Sequence, residues 1–338
     1  MFQNYFVLIL LLLVGCSESK ETRKQRFLIQ GNEKFDKQEY GEASKFFEAA
    51  LVLDSCFSDA LNNLGTVAHR TQNFGSAMEY YSRAIECNPE FIQAYFNRAN
   101  VFYDLNQPEN ALRDLEVIEK EHPDTAAVYH LRGLIYWKLH QPEKALANYR
   151  RILGRHAEDT DVLINVGTLY ASLDQFDSGR YYLRKALALK PEDAQALNAI
   201  AILEADAGHV AEAATWINKA IGKVPDDPYF LNNKGYILLL MKSYDEALPL
   251  INESIALDPY NGWAYRNKGM YYVLTQKYDE GLRLLHQAEK IDPLIDQLYY
   301  WIGEAYLKNN QRDLACQYFK KALEHNQLAS VDFDSKCE

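Results

Sequence analysis

The sequence predicts an all-α solenoid of repeated helix-turn-helix units, because small residues recur along it with a fixed period. A Gly or Ala stands at every thirty-fourth position, and a second small residue follows each of them twelve positions later. The first set is Gly31, Gly65, Ala99, Gly133, Gly167, Ala201, Gly235, Gly269 and Gly303, and the second is Ala43, Ala77, Ala111, Ala145, Gly179, Ala213, Ala247, Gly281 and Ala315. No insertion interrupts the count, so the sequence indicates one array of repeats rather than several globular domains.

Each unit contains two stripes of small and apolar residues at the spacing of a helical face. In one unit they are Leu61, Leu64, Gly65 and Ala68, followed by Ala77, Tyr81 and Ala84. The stripes predict two helices that pack face to face, with the small residues where the helix axes come closest. A short polar turn at 71–74 separates the two helices.

Proline marks the boundary between most units. It follows the second predicted helix at Pro89, Pro123, Pro191, Pro225, Pro259 and Pro293. Proline lacks the N–H that would continue a helix, and its fixed φ suits a helix start. We therefore expect it to end the second helix and to form the first turn of the next one.

This pattern of small, aromatic and proline positions in a 34-residue helix-turn-helix unit resembles the tetratricopeptide repeat family. The resemblance covers nine units over residues 24–329 and leaves only the two ends of the chain. Ser55, Ala157 and Gln327 replace the closing proline in three units. The resemblance implies a right-handed superhelical solenoid whose first helices line a concave groove, with a C-terminal tail at 330–338.

The chain is acidic, with a formal net charge of −11. This charge disfavours electrostatic binding to nucleic acid. The predicted groove also lacks the stripe of Lys and Arg that nucleic acid requires. We therefore expect no nucleic-acid partner.

The N-terminal segment predicts an export signal followed by a lipid-attachment site. Residues 2–14 are largely apolar but too short to span a bilayer, which needs about 20 residues. The tetrapeptide Leu-Val-Gly-Cys that ends at Cys16 resembles the bacterial lipobox, whose Cys becomes the lipidated first residue of the mature protein. The resemblance implies a signal peptide at 1–15 and a lipidated tether at 16–23.

The residue after the lipobox indicates where the anchored protein resides. Ser17 rather than Asp follows Cys16, which favours the outer membrane of a bacterial cell envelope, with the array facing the periplasm or the surface. No Lys or Arg precedes the apolar run, where signal peptides normally carry positive charge. A eukaryotic secretory signal with a chance Cys is the alternative.

Four cysteines remain besides Cys16, namely Cys56, Cys87, Cys316 and Cys337. An even number suits disulfides in an oxidising compartment. Cys56 and Cys87 fall near the ends of consecutive units, but their spacing does not match the repeat. Whether these two residues pair is left open.

Positions 5 and 6 of the units, which the resemblance places on the inner wall, are rich in asparagine. We call these residues the asparagine ladder: Asn62, Asn63, Asn97, Asn165, Asn198, Asn232, Asn233 and Asn267. An amide offers a donor and an acceptor to any peptide backbone. The part of the ladder at position 6 is similar to that of O-GlcNAc transferase, whose repeats hold extended peptide through such amides. The matching residues are Asn63, Asn97, Asn165, Asn233 and Asn267.

Repeats seven to nine add aromatic and charged residues at inward positions, and such mixtures are typical of binding hot spots. We predict that a protein or peptide segment binds at Asn165, Asn198, Asn232, Asn233, Trp263, Arg266, Asn267 and Trp301. Two alternatives are that the asparagines are merely solvated and that the large side chains fill space near the end of the array. The carboxylate clamp of some family members is not expected, because the nearest candidate residues include no cation.

The C-terminal end needs a polar cap, since the last repeat has no following neighbour. Lys320, Lys321 and Glu324 give the last predicted helix some polar surface, so it can cap itself. The alternative is an end-to-end contact with a partner or with a second copy of the chain.

No catalytic, metal-binding or cofactor-binding motif stands out, and the eight histidines fall at unrelated positions in the units. We therefore predict a non-enzymatic, membrane-anchored scaffold without metal or cofactor. One alternative is a dedicated part of an envelope assembly machine, resembling repeat lipoproteins that pilot pilus secretins or bring cell-wall hydrolases to their substrate. Another is a glycan-binding or glycan-export protein.

Overall fold

The computed structural model describes residues 18–325 and 336–337. These residues form eighteen α-helices and no strand, arranged as nine consecutive pairs, which confirms the predicted all-α array of nine repeats. The first helices are α1 (Lys20–Asp36), α3 (Ser58–Arg70), α5 (Ile92–Asp104), α7 (Ala126–Lys138), α9 (Thr160–Ser172), α11 (Ala194–Asp206), α13 (Pro228–Leu240), α15 (Gly262–Leu274) and α17 (Leu298–Lys308). The second helices are α2 (Tyr40–Leu53), α4 (Phe74–Cys87), α6 (Pro108–Glu121), α8 (Pro142–Leu153), α10 (Phe176–Leu189), α12 (Val210–Lys223), α14 (Tyr244–Leu257), α16 (Tyr278–Ile291) and α18 (Arg312–Glu324).

The chain divides into two compact units, Met1–Asn148 and Tyr149–Glu338. In the first unit, α1 to α7 pack in sequence, each helix against the next one along the chain. In the second unit, α9 to α18 pack in the same way. Neighbouring first helices also touch within each unit, so that α9, α11, α13, α15 and α17 form one continuous layer.

The small residues of the repeat lie where the two helices of a pair approach most closely. A Cβ atom added to Gly65 would lie 2.6 Å from the Tyr81 ring, closer than real Cβ contacts allow. A Cβ atom added to Gly179 would lie 2.8 Å from the carbonyl oxygen of Gly167. Buried Ala, Leu and aromatic residues fill the rest of this interface. The role predicted for the small residues is confirmed.

A residue with left-handed backbone conformation lies two positions after the end of each first helix, and these residues also recur every 34 positions. They are Gln38, Gln72, Asn106, His140, Asp174, Gly208, Lys242, Gln276 and Asn310. In the second repeat, the N–H of Asn73 donates to the carbonyl of Ala68 at 2.8 Å, as expected for a Schellman helix end. The chain therefore reverses tightly between the paired helices.

The boundary prolines predicted from the sequence follow the second helices but do not start the next ones. Pro191 lies between Leu189, where α10 ends, and Ala194, where α11 begins. The prediction that proline ends the helix is confirmed, whereas the prediction that it forms the next first turn is wrong. The start of α11 is instead capped by Asp193, whose carboxylate accepts the N–H of Ala196 at 3.0 Å.

The first helix begins before the predicted boundary of the repeats. Ser19 caps α1 by accepting the N–H of Thr22 at 3.0 Å, so the helix starts at Lys20. Residues 20–23 of the predicted tether at 16–23 are therefore helical. Cys16 and the predicted signal peptide lie outside the described residues. Within the described part of the chain, no helix is long and apolar enough to cross a membrane.

Two disulfides tie the described cysteines together, one in each unit. Cys56 and Cys87 pair with their Cα atoms 5.3 Å apart, which joins the turn before α3 to the end of α4. Cys316 on α18 pairs with Cys337 of the tail at a Cα separation of 5.5 Å. The pairing that the sequence left open is therefore present, together with a second one.

The tail returns to the last repeat at the one place where the structure describes it. The Lys336 ammonium forms an ion pair with Glu304 on α17, and it lies 5.2 Å from the centroid of the Phe319 ring on α18. The neighbouring Cys337 is held by its disulfide. Tail residues thus cover part of the last helix pair, in addition to the polar residues of α18.

Candidate functional site

The predicted binding residues all lie on the layer of first helices in the second unit. We call the surface of α9, α11, α13, α15 and α17 the first-helix face. The predicted residues are distributed as Asn165 on α9, Asn198 on α11, Asn232 and Asn233 on α13, Trp263, Arg266 and Asn267 on α15, and Trp301 on α17. The period of the repeat places them there, since equivalent positions of adjacent units stand side by side.

The asparagines of this face hydrogen-bond to one another. Asn233 Nδ2 donates to Asn198 Oδ1 at 2.8 Å, and Asn267 Nδ2 donates to Asn232 Oδ1 at 2.8 Å. A longer contact of 3.4 Å joins Asn232 Nδ2 to Asn233 Oδ1. The four amides therefore form a chain across three repeats, while Asn165 is half-buried one repeat earlier.

Burial changes the expectation of a freely exposed ladder. Asn232 and Asn267 are each only 1% exposed, so their amides bond across the repeat interface instead of facing solvent. Buried amides without partners are costly, and the adjacent repeat supplies these partners. The first unit uses the same device, since Asn97 donates to Asn62 at 2.9 Å. The ladder thus joins neighbouring repeats, and its role in peptide binding stays a prediction.

Arg266 on α15 is buried without an anionic partner. The residue is 4% exposed, and its Nε and Nη1 atoms have no acceptor among the described residues. Its guanidinium carbon lies 5.1 Å from the centroid of the Tyr236 ring and 5.2 Å from that of Trp263. Cation–π contacts partly stabilise a charge that a guanidinium cannot lose by deprotonation.

Two other semi-buried arginines of the chain show what is missing at Arg266. Arg98 donates to both oxygens of the buried Asp114 at 2.8 Å. Arg180 donates to both oxygens of the buried Glu204 at 2.6 and 2.9 Å. These bidentate pairs are the usual arrangement for a desolvated guanidinium. Arg266 is more deeply buried than either of them but has no such carboxylate partner among the described residues.

Further polar atoms close to Arg266 also lack partners within the described ranges. They are Trp301 Nε1 on α17 and Asn267 Oδ1 on α15, both buried. Trp301 packs against the core cluster that includes Tyr236, over whose ring Arg266 lies. One end of the first-helix face therefore concentrates unsatisfied hydrogen-bonding groups, most of them donors.

Asp206, at the end of α11, belongs to the same surface, although the sequence analysis did not single it out. It accepts the hydroxyl proton of Tyr236 at 3.0 Å. Water reaches Asp206, yet protein surrounds it closely enough that desolvation raises its pKa to about 6, helped by the charges of Asp296 and Asp174. The helical spacing from Asn198, eight residues earlier, could have placed it on this face.

Two exposed aromatic side chains lie on the helices of this face, and one of them contacts Arg266. Trp263 is 39% exposed while its ring contacts Arg266, and Tyr229 on α13 is 50% exposed. The Tyr229 hydroxyl donates to Asp258 at 3.2 Å. Partly exposed aromatics next to a desolvated Arg are the composition found at energetically dominant positions of protein interfaces.

One carboxylate–histidine group has the spacing of a metal site. Ligand atoms of Glu204, His209 and Glu212 lie within 4.8 Å of one another. Arg180, however, already holds both oxygens of Glu204 and lowers the pKa of that carboxyl. A cation would have to compete with the guanidinium, so the residues fit an ion pair better than a metal site.

The helix pairs, their 34-residue period and the first-helix face define an all-α repeat protein of the kind that serves as an interaction scaffold. Family models described as tetratricopeptide repeat match residues 30–90, 80–113, 130–194, 165–228, 228–261 and 296–327. The chain belongs to the tetratricopeptide repeat family. This fold is typically a non-catalytic scaffold for protein–protein interaction. Among curated proteins, none matches the sequence.

Solved structures share this fold at low sequence identity. A structure of PilF from Pseudomonas aeruginosa is similar with a TM-score of 0.54 and 16% identity, over 62% of this chain and 96% of that one. PilW, described as a widely conserved type IV pilus biogenesis factor, gives a TM-score of 0.53 and 20% identity, over 61% and 96%. The Cut9–Hcn1 hetero-tetramer of the APC/C gives 0.61 and 14%, over 94% and 63%.

Proposed function

We propose that this protein is a membrane-anchored scaffold that binds a segment of a partner protein on the first-helix face of its second unit. The observation that carries the proposal is the cluster around Arg266. There two guanidinium nitrogens and an indole N–H, all buried, find no acceptor within residues 18–325 and 336–337, and the guanidinium contacts the partly exposed ring of Trp263. Desolvated polar groups without partners are costly within one protein, and a bound partner can supply what they lack.

The pattern of cysteines supports the envelope location and the anchor. The chain has five cysteines, and the four that follow Cys16 are paired in two disulfides. Disulfides are typical of exported proteins, and the remaining Cys16 stands in the lipobox-like segment. We therefore propose that the mature protein begins at a lipidated Cys16 in the outer membrane of a bacterial cell.

One crosslinking experiment tests the anchor and the face together. A photocrosslinking amino acid is placed at Trp263 in the wild-type chain and in the Cys16→Ala variant, and membranes are isolated from the native host. A matched control carries the crosslinker at Tyr181, which is 63% exposed on α10, a second helix. Both positions are exposed aromatics, but only Trp263 lies on the first-helix face.

We expect the wild-type chain to fractionate with membranes and to crosslink one partner from position 263 but not from position 181. The Cys16→Ala variant should move to the soluble fraction and lose that crosslink. Equal membrane association of both chains would contradict lipid anchoring. Equal crosslinking from both positions, or binding of oligosaccharide with no protein crosslinked, would contradict the proposed face and favour the glycan alternative.

A second candidate is a dedicated component of an envelope assembly machine. The predicted lipobox is the observation that favours it, because it would hold the array at the membrane where such machines assemble. The fold shared with a pilus biogenesis factor is compatible with that role. Stoichiometric co-purification with one outer-membrane complex would favour this candidate, whereas several partners of the same face would favour a general scaffold.

A further inference from the structure

Three bonds of the asparagine ladder follow one rule of register. In each, a side-chain amide donates to the side-chain oxygen of the residue 35 positions earlier. The pairs are Asn97 with Asn62, Asn233 with Asn198, and Asn267 with Asn232. A position-6 residue therefore donates to the position-5 residue of the preceding repeat.

One repeat after the Asn267–Asn232 pair, the position-6 residue is Trp301, and the position-5 residue 35 positions before it is Arg266. Neither side chain contains an acceptor, since an indole and a guanidinium can only donate. The mismatch appears in the structure as three buried nitrogens without acceptors among the described residues, Nε and Nη1 of Arg266 and Nε1 of Trp301. Arg266 lies over the Tyr236 ring, and Trp301 packs against the core cluster that contains Tyr236. The ladder thus ends at three donors that have no acceptor in the described part of the chain, and Asn267 Oδ1, a buried acceptor on the same helix as Arg266, bonds to none of them.

Among the described residues none supplies the acceptor, although carboxylates lie nearby. No carboxylate among the described residues comes within 4 Å of Arg266. Asp206 is near enough to interact with it electrostatically, but one Asp206 oxygen accepts the Tyr236 hydroxyl. A buried guanidinium normally has a carboxylate as its partner, as Arg98 and Arg180 do in this chain.

We propose that the site formed by Arg266 and Trp301 binds a single carboxylate of the partner segment. This inference rests on the proposed function, because it names the group that the first-helix face recognises. The carboxylate is either an Asp or Glu side chain or the C-terminus of the partner. Trp263, whose partly exposed ring contacts the guanidinium, borders the site.

The charges around the site restrict the kind of segment that fits. Asp174 and Asp296 each act electrostatically on Asp206, which also interacts with Arg266, so three carboxylates and one guanidinium influence this part of the face. A run of acidic residues would be repelled by these groups. The segment should therefore present one carboxylate flanked by neutral or basic residues.

Indole NMR signals provide a direct test, since the chain has only four tryptophans. The protein is labelled with 15N-tryptophan, the Trp301 signal is assigned with Trp301→Phe, and pentapeptides are titrated at constant ionic strength. One acetylated and amidated peptide has a central Glu between neutral residues, and its control has Gln. A third peptide lacks Glu but keeps a free C-terminus. Trp216, whose N–H already donates to Glu212 at 3.2 Å, serves as the internal control.

We expect the Glu peptide, the free C-terminus peptide or both to shift the Trp301 signal, while the Gln peptide does not and the Trp216 signal stays in place. The peptide that shifts the Trp301 signal identifies the source of the carboxylate, either a Glu side chain or a C-terminus. Arg266→Gln keeps donors but removes the charge, and it should weaken binding about tenfold or more. Arg266→Lys keeps the charge and should retain part of the affinity. It provides the test if Arg266→Gln folds poorly.

Two results would overturn the carboxylate site. Equal shifts with the Glu and Gln peptides would mean that any carbonyl satisfies the donors. No shift with any peptide, while the partner still crosslinks from position 263, would refute this inference and leave the proposed function standing. Loss of that crosslink in the wild-type chain would instead count against the proposed function itself.

Discussion

Asp206 illustrates how a single side chain on the first-helix face is placed at a cost in stability. Desolvation, together with the neighbouring carboxylates, raises its pKa from the usual 3.8 to about 6. A carboxyl whose pKa is higher in the folded state binds its proton more tightly there. The folded state therefore loses stability as the pH rises from about 4 to about 6, and the full penalty is present above that range.

We predict that Asp206→Asn stabilises the protein at pH 7.5 and has little effect at pH 4. The amide oxygen of Asn can still accept the Tyr236 hydroxyl, so the substitution removes mainly the charge. Because water reaches the side chain and screens its charge, the gain is small, roughly 0.5 kcal/mol. Thermal unfolding of both proteins across this pH range measures it, and a gain that is the same at both pH values would contradict the assignment.

At the scale of the helices, the left-handed residue after the end of each first helix sets the reversal between paired helices. Eight of the nine positions hold residues other than glycine, and only Gly208 has the freedom that this conformation favours, with φ +84. Left-handed backbone costs roughly 1 kcal/mol for a residue with a Cβ atom. The Schellman hydrogen bonds of the helix end offset that cost.

Gly208→Ala should therefore destabilise the protein by about 1 kcal/mol. The matched control is Gly222→Ala inside α12, where the backbone is helical. A Cβ atom at either position would meet no neighbour within 4 Å, so the two sites differ in backbone conformation rather than in space. The control should stabilise by about 0.5–1 kcal/mol because Ala is the better helix former. Urea unfolding gives both values, and effects of equal sign would refute this explanation.

The elements that could be predicted from sequence are those that depend on contacts within one repeat. Gly65 and Tyr81 meet because both belong to one helix pair, so their period revealed the packing. The 34-residue period does not show which atoms of a neighbouring repeat a side chain contacts. For that reason the sequence showed the asparagines but not their mutual hydrogen bonds, and it named Arg266 but not the absence of an acceptor. The left-handed turns were hidden because six different residue types occupy the nine positions, so no single residue type marks them.

At the scale of the whole molecule, stability is distributed along the chain. Each helix packs against its neighbours in sequence within a unit, so each contact acts over a short range. The two disulfides reinforce this local organisation in different places. Cys56–Cys87 links the turns on either side of the second repeat, and Cys316–Cys337 links the tail to α18.

We predict that removing either disulfide loosens only the repeats that it joins. Paired Cys→Ser substitutions at 56 and 87 should speed hydrogen exchange in α2 to α5, and the same substitutions at 316 and 337 should do so in α17 and α18. The loss of loop closure is worth about 3 kcal/mol in each case. Each double variant is the control for the other, since both remove one disulfide of similar loop length. Faster exchange throughout both units in either variant would mean that the array unfolds as one cooperative body and would contradict the nearest-neighbour description.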